Sequence, residues 1–428
     1  MHISRQKGRS TPGSRCQAGR HLLSSGRFVQ PSGEKVVSDQ LAYALITPYS
    51  LLKSRTGGII GRLLAQAKLE LAAARMYSFS DAFVDAYKQV LCAPETDPVF
   101  RQAWHGYIDQ WLRPNNARGF LPRCMLMLLR GPNAIEHLRN EVIGNFTEQP
   151  VGDTIRGTYG DLIRDEQGGI RYFEPAVITA PRDDLNNAHL KLLADHATSD
   201  GGVLTGRIKY DAGRPEVALV MLKPDNFERR SRRPGNIIDT FSLTGLRIVG
   251  AKLFNMTVAQ GEEFYGPLRG IFVQRLKGNI TQLVHERLQD AFAFPFAMAD
   301  AEFLADHLAE RNAMAEFNRI VEYMTGVDPD DVADPAEKAT ASRAKCLALL
   351  YEGPDAIEKI RRALGSTDPT KAEPGTVRSD FGRDLMRNGA HASDSPANAL
   401  RERKIVGMEK TETGACDVSE IIGDYLSA

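Results

Sequence analysis

Short apolar runs along this chain alternate with turn-forming clusters, and the alternation repeats. Leu41 to Ile46 is uninterrupted and ends at Thr47-Pro48-Tyr49, which predicts a buried strand. Gly57-Gly58 then precedes Ile59, Ile60, Leu63, Leu64 and Ala67 at helical spacing. Leu71 to Phe79 reads as a second strand. Ser80-Asp81 caps a helix carrying Phe83, Val84 and Tyr87, and helix continues through Trp104, Tyr107, Ile108 and Trp111. Cys124 to Leu129 predicts a third strand, after which Gly131-Pro132-Asn133 opens a helix with Ile135, Leu138 and Val142.

The order then restarts. Val217 to Leu222 is a strand ending at Lys223-Pro224-Asp225, and a helix with Ile237, Ile238 and Phe241 follows. Leu246 to Met256 is a strand, Ala259 to Tyr265 a helix, Cys346 to Tyr351 a strand, and Gly353-Pro354-Asp355 opens another helix. Leu128-Leu129-Arg130-Gly131-Pro132-Asn133-Ala134-Ile135-Glu136 matches Leu350-Tyr351-Glu352-Gly353-Pro354-Asp355-Ala356-Ile357-Glu358, and Thr154-Ile155-Arg156 echoes Thr376-Val377-Arg378. Two copies of one α+β unit are expected, each a ferredoxin-like βαββαβ arrangement with an antiparallel sheet and helices on one face. The expected divisions are a tail over 1–38, a first domain over 39–198, a linker over 199–215 and a second domain over 216–428. The second carries a mainly helical insertion at about 271–314, with helical patterns from Ile280 to Phe296 and from Ala301 to Met324.

Composition narrows the class. Among 428 residues, 42% are hydrophobic and 25% charged, ordinary for a globular protein with full cores. The 54 basic and 54 acidic residues cancel, so no global charge favours nucleic acid or an anionic membrane. No apolar run is long enough to span a bilayer. Five scattered cysteines with no CxxC pair argue against a zinc site or a disulfide framework and fit the cytoplasm. Arg5, Lys7, Arg9, Arg15, Arg20 and Arg27 precede the first acid, Glu34; this stretch reads as a disordered tail rather than a transit peptide. The acidic loop from Asp328 to Pro335 and the basic loop from Arg229 to Arg233 both read as solvated surface.

Candidate chemistry gathers near the C-terminus. In Asn388-Gly389-Ala390-His391-Ala392-Ser393-Asp394-Ser395 the small neighbours leave the imidazole open to a bulky anion. A lone histidine is more often structural. The surrounding motifs change that reading. Lys223-Pro224-Asp225, then Pro374-Gly375-Thr376-Val377-Arg378-Ser379-Asp380-Phe381, then the His391 segment with Glu402 on the following helix, resemble in order and spacing the nucleoside diphosphate kinase family. The likeness covers most of 216–405 apart from insertions.

The resemblance implies a ping-pong transfer of the γ-phosphate from an NTP to an NDP. It assigns His391 as the phosphorylated residue, with Lys223, Tyr265 and Glu402 in the catalytic set. Lys223, Arg361, Thr367, Arg378 and Asn388 would hold the nucleotide, and Mg²⁺ would come with the bound phosphates. Phosphoryl transfer asks a protein for an in-line nucleophile and fixed positive charge, which imidazole, lysine and arginine supply. The competing expectation is a non-catalytic nucleotide-binding regulator or scaffold. Phe317 is the nearest candidate to stack on the base. The first domain reads as a degenerate copy: Thr47 stands at the lysine position, Arg139 and Arg156 at the phosphate-binding positions, and Thr179 at or near the histidine position. That copy is expected to pack on the catalytic one, and the family pattern also implies a homo-oligomer.

Overall fold

In the computed structural model, residues 39–95, 97–146, 152–211, 213–409 and 416–428 are described. The basic tail expected over 1–38 lies outside them. The first half contributes β1 (Asp39–Ile46), β2 (Glu70–Tyr77), β3 (Cys124–Pro132), β4 (Asp161–Arg164), β5 (Ile170–Glu174) and β6 (Val177–Ile178). The second contributes β7 (Pro215–Leu222), β8 (Arg247–Asn255), β9 (Lys345–Pro354) and β10 (Ala390–Ala392).

The two halves build the same sheet. Strand order is β2-β3-β1-β6 in one and β8-β9-β7-β10 in the other, all pairs antiparallel, while β4 and β5 form a separate hairpin. The likeness extends to irregular backbone. The β2–β3 register shifts between Leu71 and Ala73, and the β8–β9 register between Ile248 and Gly250. After β3 and β9 the chain turns through Asn133 and Asp355, with φ of 50° and 54°. Positive φ is uncommon outside glycine, and Asn and Asp tolerate it best. The fold is therefore a tandem of ferredoxin-like units.

The apolar runs form the core strands because both faces are covered. Leu41 through Ile46 are all fully buried although alternate side chains point to opposite faces. Tyr43 shows what covers the second face: its hydroxyl meets Tyr87, on the helix Asp81–Cys92, and His189, on the helix Asn186–Asp195.

Residues 199–211 are fastened to both halves. Gly202 donates to Met76 O and Leu204 to Val249 O, while the Gly206 amide and Tyr210 hydroxyl bond Glu352. Corresponding elements also meet. The helix Thr56–Gln66 crosses its counterpart Arg233–Ser242, and β2 lies against its counterpart β8. An element touching its own counterpart marks an approximate two-fold between the halves.

The helix crossing depends on glycine. A Cβ on Gly235 would lie 2.2 Å from Gly57 O and 2.4 Å from Gly61 N, both backbone atoms that cannot swing aside. Gly235→Ala should push the helices apart and destabilise the protein by about 1–3 kcal/mol. Gly278 is the control: it lies mid-helix, and a Cβ added there would meet nothing within 4 Å. Gly278→Ala should stabilise by up to about 1 kcal/mol through helix propensity alone. Thermal or denaturant unfolding of both variants checks this; equal effects would refute the close-crossing account.

The insertion is a helical hairpin, Leu268–Leu288 packed on Met298–Thr325. Ala301, Ala305, Ala309 and Ala313 are buried along the second helix, small residues that let the first approach. Among the described residues no helix is long and apolar enough to cross a membrane.

Candidate functional site

β10 is only three residues long, and its position is fixed from both ends. Gly389, with φ of 82°, makes the turn into it and accepts from the Lys223 amide at 3.1 Å. Ala390, His391 and Ala392 then pair with Leu222, Met221 and Val220. Ser395 caps the next helix, Pro396–Ile405, by accepting from Asn398 N, and Pro396 suits its first turn. That helix carries Glu402 back under the strand. The Glu402 carboxylate lies 3.0 Å from His391 Nε2 and accepts from Ser393 Oγ at 2.6 Å.

This pairing orients the imidazole. A carboxylate only accepts, so Nε2 bears the proton and Nδ1 keeps its lone pair. No protein hydrogen bond to Nδ1 is found among the described residues, and the His391 side chain is 22% exposed. Glu402 is nearly buried and also lies 3.6 Å from Arg401. Phe264 meets the imidazole edge-on at 5.0 Å between centroids, closer than Tyr265 at 6.4 Å. Tyr265 is buried with its hydroxyl unpartnered among the described residues, and burial pushes its acidity well down. Phe264 is a site neighbour that sequence reasoning missed, because its apolar side chain carries no chemical signature.

Around the histidine, a chain of hydrogen bonds holds the cations. Lys223 Nζ donates to Asn388 Oδ1 at 2.7 Å and Met386 O at 2.9 Å. The Asn388 amide nitrogen donates to Thr367 O and Leu385 O. Arg378 donates to Gly365 O at 3.1 Å, Thr367 Oγ1 at 3.2 Å and Ala390 O at 3.5 Å. Lys223, Asn388, Thr367, Arg378, His391 and Glu402 are thus brought together. Arg361 is exposed on the rim, on the helix Ala356–Leu364, and acts on Arg378 and Asp394 through its charge.

Burial and mutual repulsion make these cations receptive to an anion. Burial, then the Arg378 charge, pulls Lys223 down to about 8. Burial, then the Arg361 charge, pulls Arg378 down to about 10. The lysine has a stability signature. Unfolded it titrates near 10.5 and folded near 8, so between these values the unfolded chain binds more protons. Stability should therefore rise with pH across that window, by a few kcal/mol at most. Denaturation midpoints of wild type minus Lys223→Met, followed from about pH 7.5 to 10.5, should show the rise; parallel curves would show an unshifted lysine.

A second set of residues braces Lys223. Asp225 accepts from Arg233 at 2.6 Å and from the Tyr323 hydroxyl at 2.6 Å, and Tyr323 lies under Lys223 Nζ at 5.9 Å. The reading of 229–233 as solvated loop holds for Arg229 and Arg230, which are exposed, and fails for Arg233. Arg233 also donates to Phe381 O at 2.6 Å. Phe317 is fully buried beneath the Arg269 guanidinium, 4.1 Å from its ring centroid. It presents no face to a base, which corrects its candidacy.

The first half repeats this frame with different residues. Thr47 N donates to Ala176 O as Lys223 N donates to Gly389 O, both at 3.1 Å. Ile178 pairs with Leu45 at the register where His391 pairs with Met221. The histidine position is thus Ile178, one residue before Thr179, which instead donates to Tyr43 O. Where Lys223 meets Asn388, Thr47 donates to Glu174 Oε1, which also accepts from Tyr107 and the Ala176 amide. Burial raises Glu174 to about 7 despite these bonds.

Sequence relatives agree on the family. A family model described as nucleoside diphosphate kinase matches residues 269–411, which hold Arg361, Thr367, Arg378, Asn388, His391 and Glu402. A nucleoside diphosphate kinase of Methanobrevibacter smithii is 31% identical over 153 residues, 36% of this chain and 88% of its own length. That of Natronomonas pharaonis is 34% identical over 132 residues, 30% of this chain and 75% of its own. The solved Aquifex aeolicus nucleoside diphosphate kinase is 26% identical and covers 45% of this chain and 95% of its own, at a TM-score of 0.28. With relatives above 30% identity matched over most of their length, this chain belongs to the nucleoside diphosphate kinase family.

Proposed function

We propose that the second half transfers the γ-phosphate of an NTP to an NDP through a phosphohistidine at His391, and that the first half is a degenerate copy without transfer. The observation that supports this most directly is the Glu402 contact. It occupies Nε2 and leaves Nδ1 as the nucleophile, on a strand flanked by Lys223 and Arg378.

In the first half-reaction the Nδ1 lone pair attacks the γ-phosphorus. The bond from phosphorus to the bridging oxygen breaks, and NDP departs with that electron pair. In the second, a terminal oxygen of another NDP attacks the phosphorus, the N–P bond breaks, and the pair returns to Nδ1. Charge on the phosphoryl oxygens is met by Lys223 and Arg378, with Arg361 at the rim, and the fixed geometry avoids reorganisation. Asn388 and Lys223 hold the sugar hydroxyl. Glu402 steadies the imidazole as positive charge develops on it, with Ser393 fixing the carboxylate. Tyr265 packs beside the ring. Mg²⁺ enters as part of the substrate, chelated by the phosphates, and supplies neutralising charge there. The described cysteines Cys92, Cys124, Cys346 and Cys416 are free and buried, which fits a reducing compartment such as the cytoplasm.

The test is a transfer assay of ATP against several NDPs, combined with trapping of a phosphoenzyme. An acid-labile, base-stable label and ping-pong kinetics are expected. Nucleotide binding with no transfer to any NDP would instead support the non-catalytic regulator or scaffold.

A further inference from the structure

A cavity of about 240 Å³ opens in the first half beside the end of β6. Arg139, Arg156, Arg182, Trp104, Phe146 and Thr179 are among its lining. It stands where the second half holds its phosphate-facing arginine, and the arginine cradle is kept. Arg156 and Arg378 each donate through Nη1 to the carbonyl of a positive-φ glycine, Gly144 at 2.8 Å and Gly365 at 3.1 Å. Each donates through Nη2 to a strand carbonyl, Val177 at 3.2 Å and Ala390 at 3.5 Å. In both, Nε is buried and has no partner among the described residues. The turn below is kept too: Thr154 accepts from Gly157 N as Thr376 accepts from Ser379 N.

So the nucleophile and the lysine have been replaced, yet the anion-binding part survives with space in front of it. Arg156 is half-buried and is held partly by those two carbonyl bonds, but its buried Nε, with no partner among the described residues, is a desolvated donor that an anion would satisfy. Burial pulls Arg156 down to about 10, the direction expected of a guanidinium that an anion would stabilise.

The rest of the lining suits an organic phosphate. Arg139 brings a second guanidinium, fixed by Asp183 at 2.6 Å. Arg182 is exposed and paired with Asp184. Those two acids and Glu95, which also lines the cavity, offset part of the charge, so the site fits one phosphate group better than a polyanion. Trp104 and Phe146 form an aromatic wall, with Arg156 4.5 Å from the Phe146 centroid. We propose that this cavity binds a nucleoside phosphate and does not turn it over, with phosphate on Arg156 and Arg139 and the ring system against Trp104. The site then senses the nucleotide pool that the second half acts on.

Photolabelling the full chain with 8-azido-ADP tests this, with the labelled peptides mapped. Label is expected in peptides containing Trp104 or Thr179 as well as in the second half, and excess ADP should remove both. Arg139→Ala, at the cavity mouth, should weaken the first-half label roughly tenfold or more, leaving second-half label and ATP-to-NDP transfer unchanged. Arg156→Lys should do the same without relying on the Arg139 result. Label confined to the second half at saturating probe, or first-half label that survives both substitutions, would overturn the proposal. Because transfer is read separately, a failure here is distinguishable from a failure of the catalytic reading.

Discussion

His391→Ala should lose the phosphoenzyme and essentially all transfer, with kcat falling on the order of 10⁴-fold or more. The reason is that neither of the two nearest alternatives can take over. Ser393 sits two residues on, but its hydroxyl is committed to Glu402 at 2.6 Å. The first half offers Ile178 at the same register. The fold should be little affected, because among the described residues His391 makes one side-chain hydrogen bond and is partly exposed. The matched measurements are label incorporation from γ-labelled ATP and the melting temperature. Unchanged labelling in a folded variant would move the nucleophile elsewhere. Glu402→Gln is the informative companion. It keeps a carbonyl acceptor but removes the negative charge facing the imidazole, so it should slow phosphorylation while still permitting it.

Arg378→Ala should have the next largest effect and should act on two observables at once. Transfer should fall about 10²- to 10³-fold, the usual scale for removing one preorganised charge-stabilising donor. Stability should fall by about 1–3 kcal/mol. Gly365 O, Thr367 Oγ1 and Ala390 O all lose a donor, and the last belongs to the strand that carries His391. Arg378→Lys should not rescue, because a single ammonium cannot replace a fork that reaches the loop and the strand together. Steady-state kinetics and denaturant titration of both variants check this. Full activity of the lysine variant would reduce Arg378 to a point charge.

The parts of the fold legible in the sequence are those under a single strong constraint. β1, β3, β7 and β9 are central strands, buried throughout most of their length, so they read as unbroken apolar runs. β6 and β10 have two and three residues, too few for any period to show. The helix Leu268–Leu288 begins well before the helical pattern expected from Ile280, because none of its residues is buried and no apolar stripe marks its face. At the site, the motif order pointed to His391, Lys223, Arg378, Asn388 and Glu402, residues whose identity is their signal. The brace around Asp225 was not legible. Tyr323 is 98 positions away, and nothing in local sequence pairs them. Placing Thr179 at or near the histidine position was a matter of register, where a one-residue slip changes the face presented.

The glycine-lined crossing between Thr56–Gln66 and Arg233–Ser242 has a consequence for how this chain can change. The contact is made within one molecule, so dilution cannot separate the halves and neither has to find a partner. In an assembly of identical copies, every substitution enters both sides of such a contact, and each copy must keep the chemistry. Here the two sides are encoded separately. The first half can therefore carry Ile178 at the register where the second carries His391, while still supplying the helix that its counterpart leans on.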